Sequence, residues 1–144
     1  MPPRHFKSHI TSIVFPAWVL GHEPAKQIVS VQYAQDLSDN FARKSRTLMT
    51  SQFYEGLFDT RLSKARDAVS DYETTDSGYR LSTSVGGVLT GRGADIIIID
   101  DPLKADDALS ESRRRSVNEW CDNTAQPPQQ PGKWGYYHLH AALA

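Results

Sequence analysis

The chain has 144 residues, which suits one domain, and its 39% hydrophobic and 23% charged content is ordinary for a globular protein. A formal charge of -1 gives no global cationic signature for nucleic acid, so a DNA-binding role would need a local basic patch or a further domain. The single cysteine, Cys121, excludes an intrachain disulfide and a cysteine zinc cluster and fits a reducing, cytoplasmic setting. No apolar run approaches the ~20 residues of a membrane span, and no signal-peptide cleavage site follows the first apolar stretch.

In chain order, Met1 to Ser8 reads M-P-P-R-H-F-K-S and enters an apolar segment, Ser8 to Leu20, expected to be a buried helix that Pro16 kinks or ends. Gly21 to Pro24 is a turn. Gln27 to Tyr33 alternates apolar and polar residues and predicts a strand. Ala34 to Met49 predicts a helix with Leu37, Phe41 and Leu48 on one face and Arg43, Lys44 and Arg46 away from it. Residues 51–78 are mixed, with a short helix expected at Gln52 to Leu57. Tyr79 to Val85 is a second alternating stretch, followed by the glycine-rich V-G-G-V-L-T-G-R-G of Val85 to Gly93. Ile96 to Ile99 is a continuous apolar run that suits a strand buried on both faces of a parallel sheet. Asp106 to Asp122 predicts a polar helix with Asp106 or Asp107 as N-cap. At Ala125 the composition breaks. Strands alternating with helices argue for an α/β layered fold.

Two short motifs carry chemistry. A phosphate loop has the form G-x-x-x-x-G-K-[ST], in which backbone N–H groups wrap phosphates, the lysine reaches the β- and γ-phosphates and the hydroxyl serves Mg²⁺. Lys7 and Ser8 fit its last two places, whereas Met1 and Phe6 stand where the glycines belong. The plain alternative is a basic N-terminus entering a helix. The second motif is I-I-I-I-D-D, Ile96 to Asp101: a buried strand ending in two carboxylates at the carboxyl edge of the sheet, where open α/β folds bind ligands. Asp100 would hold Mg²⁺ directly or through water, and Asp101 would orient or deprotonate an attacking water. A strand closing in an acidic turn at Pro102 is the plain alternative.

The pieces P-P-R-H-F-K-S, F-P-A-W-V-L-G, S-V-Q-Y-A-Q-D-L-S-D-N-F-A-R, G-G-V-L-T-G-R-G-A-D and I-I-I-I-D-D-P-L-K-A occur in this order. Together they resemble the ATPase domain of the large terminase subunit, the DNA-packaging motor of tailed bacteriophages and prophages. The resemblance covers about residues 1–124 and includes a divergent phosphate loop of the form P-P-R-H-x-K-S. It implies a P-loop (ASCE-type) ATPase layer with a mostly parallel sheet and Mg²⁺-dependent ATP hydrolysis that drives packaging of double-stranded DNA. It also implies a portal and a small terminase subunit as partners, a homo-oligomeric ring, no membrane, and the cytoplasm of a bacterial host.

Carried over by position, Pro3, Arg4, His5, Phe6, Lys7 and Ser8 form the nucleotide-binding loop. Within it Arg4 is the arginine that senses the γ-phosphate and takes part in catalysis. Ser8 and Asp100 serve the metal, and Asp101 stands where relatives have a catalytic glutamate, one methylene longer. Thr90, Gly91, Arg92 and Gly93 match a loop entering the acidic strand; Arg92 faces either a phosphate, an adjacent subunit, or Asp95 as a surface pair.

Arg113 to Arg115 read as a solvated helix face rather than a DNA contact, and Trp18, Trp120 and Phe41 as core residues. His5, His9 and His22 lack metal-ligand spacing, while His138 and His140 fall in the tail. Against the family pattern, the strand before the phosphate loop and the C-terminal nuclease domain are missing. Residues 125–144, back-translated and read one nucleotide later, permit H-S-R-L-N-N-Q-A-S-G-A-I-I-I-S-M-Q-R-L, close to the family's continuation. A frameshifted tail in place of a core strand is therefore expected, leaving sheet edges unpaired and turnover weak or absent. The alternatives are a helicase-like or other P-loop ATPase, and a non-enzymatic prophage remnant.

Overall fold

The computed structural model describes residues 3–87, 94–104, 106–124 and 139–140, and for residues 3–5, 124, 139 and 140 the backbone alone. The chain begins with α1 (Pro3–His9), a π-helical turn (Ile10–Val14) and α2 (Phe15–His22). Strand β1 (Gln27–Gln32), α3 (Gln35–Met49) and the short α4 (Gln52–Leu57) follow. Then come β2 (Leu62–Ala68), β3 (Asp71–Thr74), β4 (Tyr79–Ser84) and β5 (Ile96–Ile99). A 3₁₀ turn (Asp107–Leu109), α5 (Glu111–Thr124) and β6 (Leu139–His140) complete the described elements.

The strands form one open sheet in the order β2-β3-β4-β1-β5-β6. β4, β1, β5 and β6 run parallel, and β2 and β3 extend the sheet antiparallel beyond β4. The fold is mixed α/β, as expected. Strand β1 lies between β4 and β5, with Ser30 opposite Ser82 on one side and Ile98 on the other. The outer edge of β5, expected to be bare, is paired over Ile98 and Ile99 by Leu139 and His140.

Both faces of the sheet are covered. One core gathers Ile28, Ile96, Ile98 and Tyr72 with Ala17, Val19 and Leu20 of α2 and Met49 of α3. The other joins Val29, Val31, Ile97, Ile99 and Tyr79 to Trp120 and Cys121 of α5. Ile96–Ile99 is buried throughout, as a continuous apolar run demands. The alternation in Gln27–Gln32 does not mark a wet face: Ser30 and Gln32 are as buried as Val29 and Val31.

Helix α3 departs from the expected apolar face. Its buried residues are Ser38, Ala42, Ser45 and Met49, while Leu37, Phe41 and Leu48 are half-buried. Small side chains at this helical spacing let the helix lie close to its neighbours. Ser45 there donates to the Ile13 carbonyl at 3.0 Å.

The N-terminal helix begins earlier than expected, at Pro3, and Pro16 does not end it. Proline lacks an N–H and clashes with the carbonyl four residues back, here that of Ser12. The chain relaxes into a wider turn instead, and the Phe15 N–H bonds the Ile10 carbonyl, five residues back. Trp18, expected in the core, is 52% exposed, and with Phe6, Ile10 and Val14 it forms an exposed apolar stripe. The mixed region 51–78 holds α4 as expected, and also the β2–β3 hairpin, which the sequence analysis does not anticipate. Asp106 and Asp107 do not cap α5. Ser110 does, accepting from the Arg113 N–H at 3.4 Å, and Asp106 precedes the 3₁₀ turn without a side-chain bond. Among the described residues no helix is long and apolar enough to cross a membrane.

Candidate functional site

The two motifs found in sequence meet in space. Lys7 Nζ lies 3.8 Å from Asp101 Oδ1, and the Ser8 hydroxyl donates to Asp101 Oδ2 at 3.3 Å, across 93 positions of chain. One helical turn on, the Ser12 hydroxyl donates to Asp100 Oδ2 at 3.0 Å. Residues four apart share one face of a helix, so Ser8 and Ser12 present their hydroxyls side by side to the end of β5.

Consecutive residues of a strand point to opposite faces, so two adjacent carboxylates should not both meet one helix. Asp101 resolves this by leaving the strand with φ of 45°, in the left-handed region that Asp tolerates better than most residues. The backbone remains anchored there, since the Tyr33 N–H bonds the Asp101 carbonyl at 3.1 Å and the Asp100 N–H bonds the Val31 carbonyl at 3.0 Å.

The two carboxylates have different surroundings. Asp100 is fully buried, and its Oδ1 has no hydrogen-bond partner among the described residues. Asp101 and Lys7 keep side-chain exposures of 29% and 35%. A partly wet ion pair of this kind is worth at most about 1 kcal/mol, so either partner is readily taken by another ligand.

Beneath the carboxylates runs a buried polar ladder. Gln32 Nε2 donates to Ser12 Oγ at 3.2 Å and to Ser30 Oγ at 3.1 Å. Arg80, fully buried on β4, donates through Nη2 to the Ser12 carbonyl at 2.8 Å and through Nη1 to the Ser82 hydroxyl. The Ser12 carbonyl is the one that Pro16 cannot serve, so Arg80 replaces the missing helix bond. Burial pulls the Arg80 pKa below the usual arginine value, partly offset by Tyr72.

Of the expected site residues, Lys7, Ser8, Asp100 and Asp101 come together. Ser8 and Asp100, expected to serve one metal, do not bond each other directly: Ser8 holds Asp101, and Ser12, one turn on, holds Asp100. The backbones of Pro3, Arg4 and His5 lie in α1 rather than in an open loop, and their side chains fall outside the described residues. Phe6 is also helical, and its ring is exposed. Thr90, Gly91, Arg92 and Gly93 fall outside the described residues; Asp95 accepts from the Gln27 N–H at 2.9 Å. Arg113, Arg114 and Arg115 are exposed on α5, as a solvated face requires.

Sequence reasoning missed Ser12, Gln32 and Arg80. Two signals pointed to them: Pro16 four residues after Ser12, and the placement of Ser30 and Gln32 in phase with Ile28 on one face of β1.

A cavity of about 460 Å³ opens beyond the same strand ends on the α5 side, lined by Tyr33, Val85, Pro102, Lys104, Arg113 and Trp120 among others. Lys104 Nζ stands 5.8 Å from the centre of the Tyr33 ring.

For Mg²⁺ the donors present are hydroxyl and carboxylate oxygens, the hard ligands this ion takes. The unpartnered Asp100 Oδ1 fits a metal-bound water or the ion itself. Among the described residues no three His, Cys, Asp or Glu cluster as a metal cage, but Mg²⁺ held by one or two carboxylates and a nucleotide's phosphates needs none. No protein-family model matches the chain, and no curated protein matches it significantly.

Proposed function

We propose that this chain is a nucleotide-binding portion of a phage terminase large subunit, the ATPase that drives viral DNA packaging. The observation that carries the reading is the meeting of Lys7 and Ser8 with Asp101, next to the buried Asp100, at the carboxyl edge of the parallel strands. A lysine, a hydroxyl and two carboxylates gathered at that edge form the constellation that phosphoryl-transfer sites require. In this reading Lys7 leaves Asp101 for the β- and γ-phosphates of ATP, and Ser8 and Asp100 hold Mg²⁺. Asp101, released from Lys7, accepts a proton from the attacking water. Bound Mg²⁺ supplies neutralisation of charge on the transferring phosphoryl group. Pro3, Arg4, His5 and Phe6 border the phosphates, with Arg4 at the γ-phosphate. Double-stranded DNA, the portal, the small subunit and a ring of identical copies belong to the whole motor, in the cytoplasm of a bacterial host.

The test is binding of a fluorescent ATP analogue with Mg²⁺, followed by anisotropy. Replacing a charge-assisted contact costs roughly 1.5–3 kcal/mol, so Lys7→Ala should weaken binding by about 10- to 100-fold. Equal binding by the native chain and Lys7→Ala would refute the reading, as would no binding by either.

A further inference from the structure

The ladder below the carboxylates has a direction. A serine hydroxyl carries one proton and two lone pairs. Ser12 Oγ accepts an N–H from Gln32 at 3.2 Å, which leaves its own proton for Asp100 Oδ2 at 3.0 Å. The second Gln32 N–H goes to Ser30 Oγ at 3.1 Å, so both donors of the amide face hydroxyls and Oε1 is left buried without a partner among the described residues. In the opposite amide orientation Oε1 would face Ser12, and two acceptors would compete for one proton. Gln32, Ser30, Ser12 and Asp100 are all fully buried, so water does not compete for these bonds. Ser12 is fixed at its other end too, by Arg80 on the carbonyl that Pro16 leaves free.

We infer that Gln32 is a positioning residue for the metal side of the site. Through the Ser12 hydroxyl it locks the Asp100 carboxylate by Oδ2 and so leaves the buried, unpartnered Oδ1 in a fixed place for the cation. The inference rests on the nucleotide reading above and adds a residue from a neighbouring strand to it. Partners that orient a metal-binding carboxylate typically govern metal affinity more than they govern the remainder of the site.

The experiment measures the Mg²⁺ concentration that half-maximally strengthens ATP-analogue binding, alongside affinity in EDTA and the thermal midpoint. Gln32→Met and Ser12→Ala should each raise the half-saturating Mg²⁺ about tenfold and leave affinity in EDTA within about twofold of native. Because both act through one chain of bonds, the double variant should need no more Mg²⁺ than the more impaired single variant. Should Gln32→Met not fold, Gln32→Asn, which withdraws the amide by one methylene, takes its place. Native Mg²⁺ dependence in the variants overturns the inference while leaving the nucleotide reading intact. So does additivity in the double variant, or a parallel loss of Mg²⁺-free affinity and thermal midpoint, which marks simple core packing. Absence of Mg²⁺-dependent nucleotide binding in the native chain removes the nucleotide reading and the inference together.

Discussion

Tyr54 shows how a single buried hydroxyl reports on the helical layer. Its side chain is buried, donates to the Ala17 carbonyl at 2.8 Å, and is pushed by burial from 10.0 to about 12. The folded pKa is raised, so this contribution to stability is complete below pH ~10 and is lost as pH rises toward the folded value. Absorbance titration of the tyrosinates should therefore show Tyr54 ionising late, alongside Tyr72, which burial also raises, and denaturation midpoints should fall through the same window. Tyr54→Phe should remove one tyrosinate from the late phase, leaving that of Tyr72, and cost about 1 kcal/mol in urea unfolding. Unfolding that is equally pH-sensitive in Tyr54→Phe would assign the loss to another group. At the same scale, the residues that touch the expected chemistry were legible, because lysine–serine and paired aspartates carry motifs. Gln32 and Arg80 were not, because in a string of letters a polar residue within a strand looks like a solvent-facing one, and Ser12, in a helical turn, was flagged only by Pro16 four residues on. Their burial is decided by what packs over them, which local pattern does not encode.

Among the elements, α3 is tied to the hairpin by Arg46 and Asp67, whose side chains form paired bonds at 2.6 Å. The hydrogen bond to Arg46 holds the Asp67 carboxyl below its ordinary value. A depressed carboxyl contributes stability above its unfolded pKa, near 4, and loses it as pH falls through the folded value. Both side chains remain about one-third exposed, so a double-mutant cycle with Arg46→Ala and Asp67→Ala should give a coupling below about 1 kcal/mol at neutral pH. That coupling should vanish in acid, and its persistence at pH 2 would contradict the assignment. Strands β1, β4 and β5 and helices α3 and α5 were readable from apolar period and run length. The β2–β3 hairpin was not: β2 has no buried residue, so no alternation marks it. The N-terminal helix runs on past Pro16, where a wider turn and Arg80 together absorb the proline's missing bond.

Across the whole molecule, the sheet orders the expected resistance to opening. β1 is hydrogen-bonded on both sides, by β4 and β5, and is covered on both faces. Amide hydrogen exchange should be slowest at Ile28 to Val31 and faster in β2, which pairs on one side only and is half-exposed. Exchange in β1 as fast as in β2 would mean that the parallel strands open independently of the helical layers. Gln32 closes this doubly paired strand, so the proposed metal-side control is built on the strand expected to open last.

Arg80 carries a last consequence, for the order of assembly. A guanidinium does not enter an apolar interior unless acceptors are already in place. One of its acceptors is in the first helical segment and the other is in its own strand. The N-terminal helix must therefore dock before or while β4 closes into the sheet. These two distant stretches should gain structure in the same kinetic phase, and neither should form a lasting intermediate without the other.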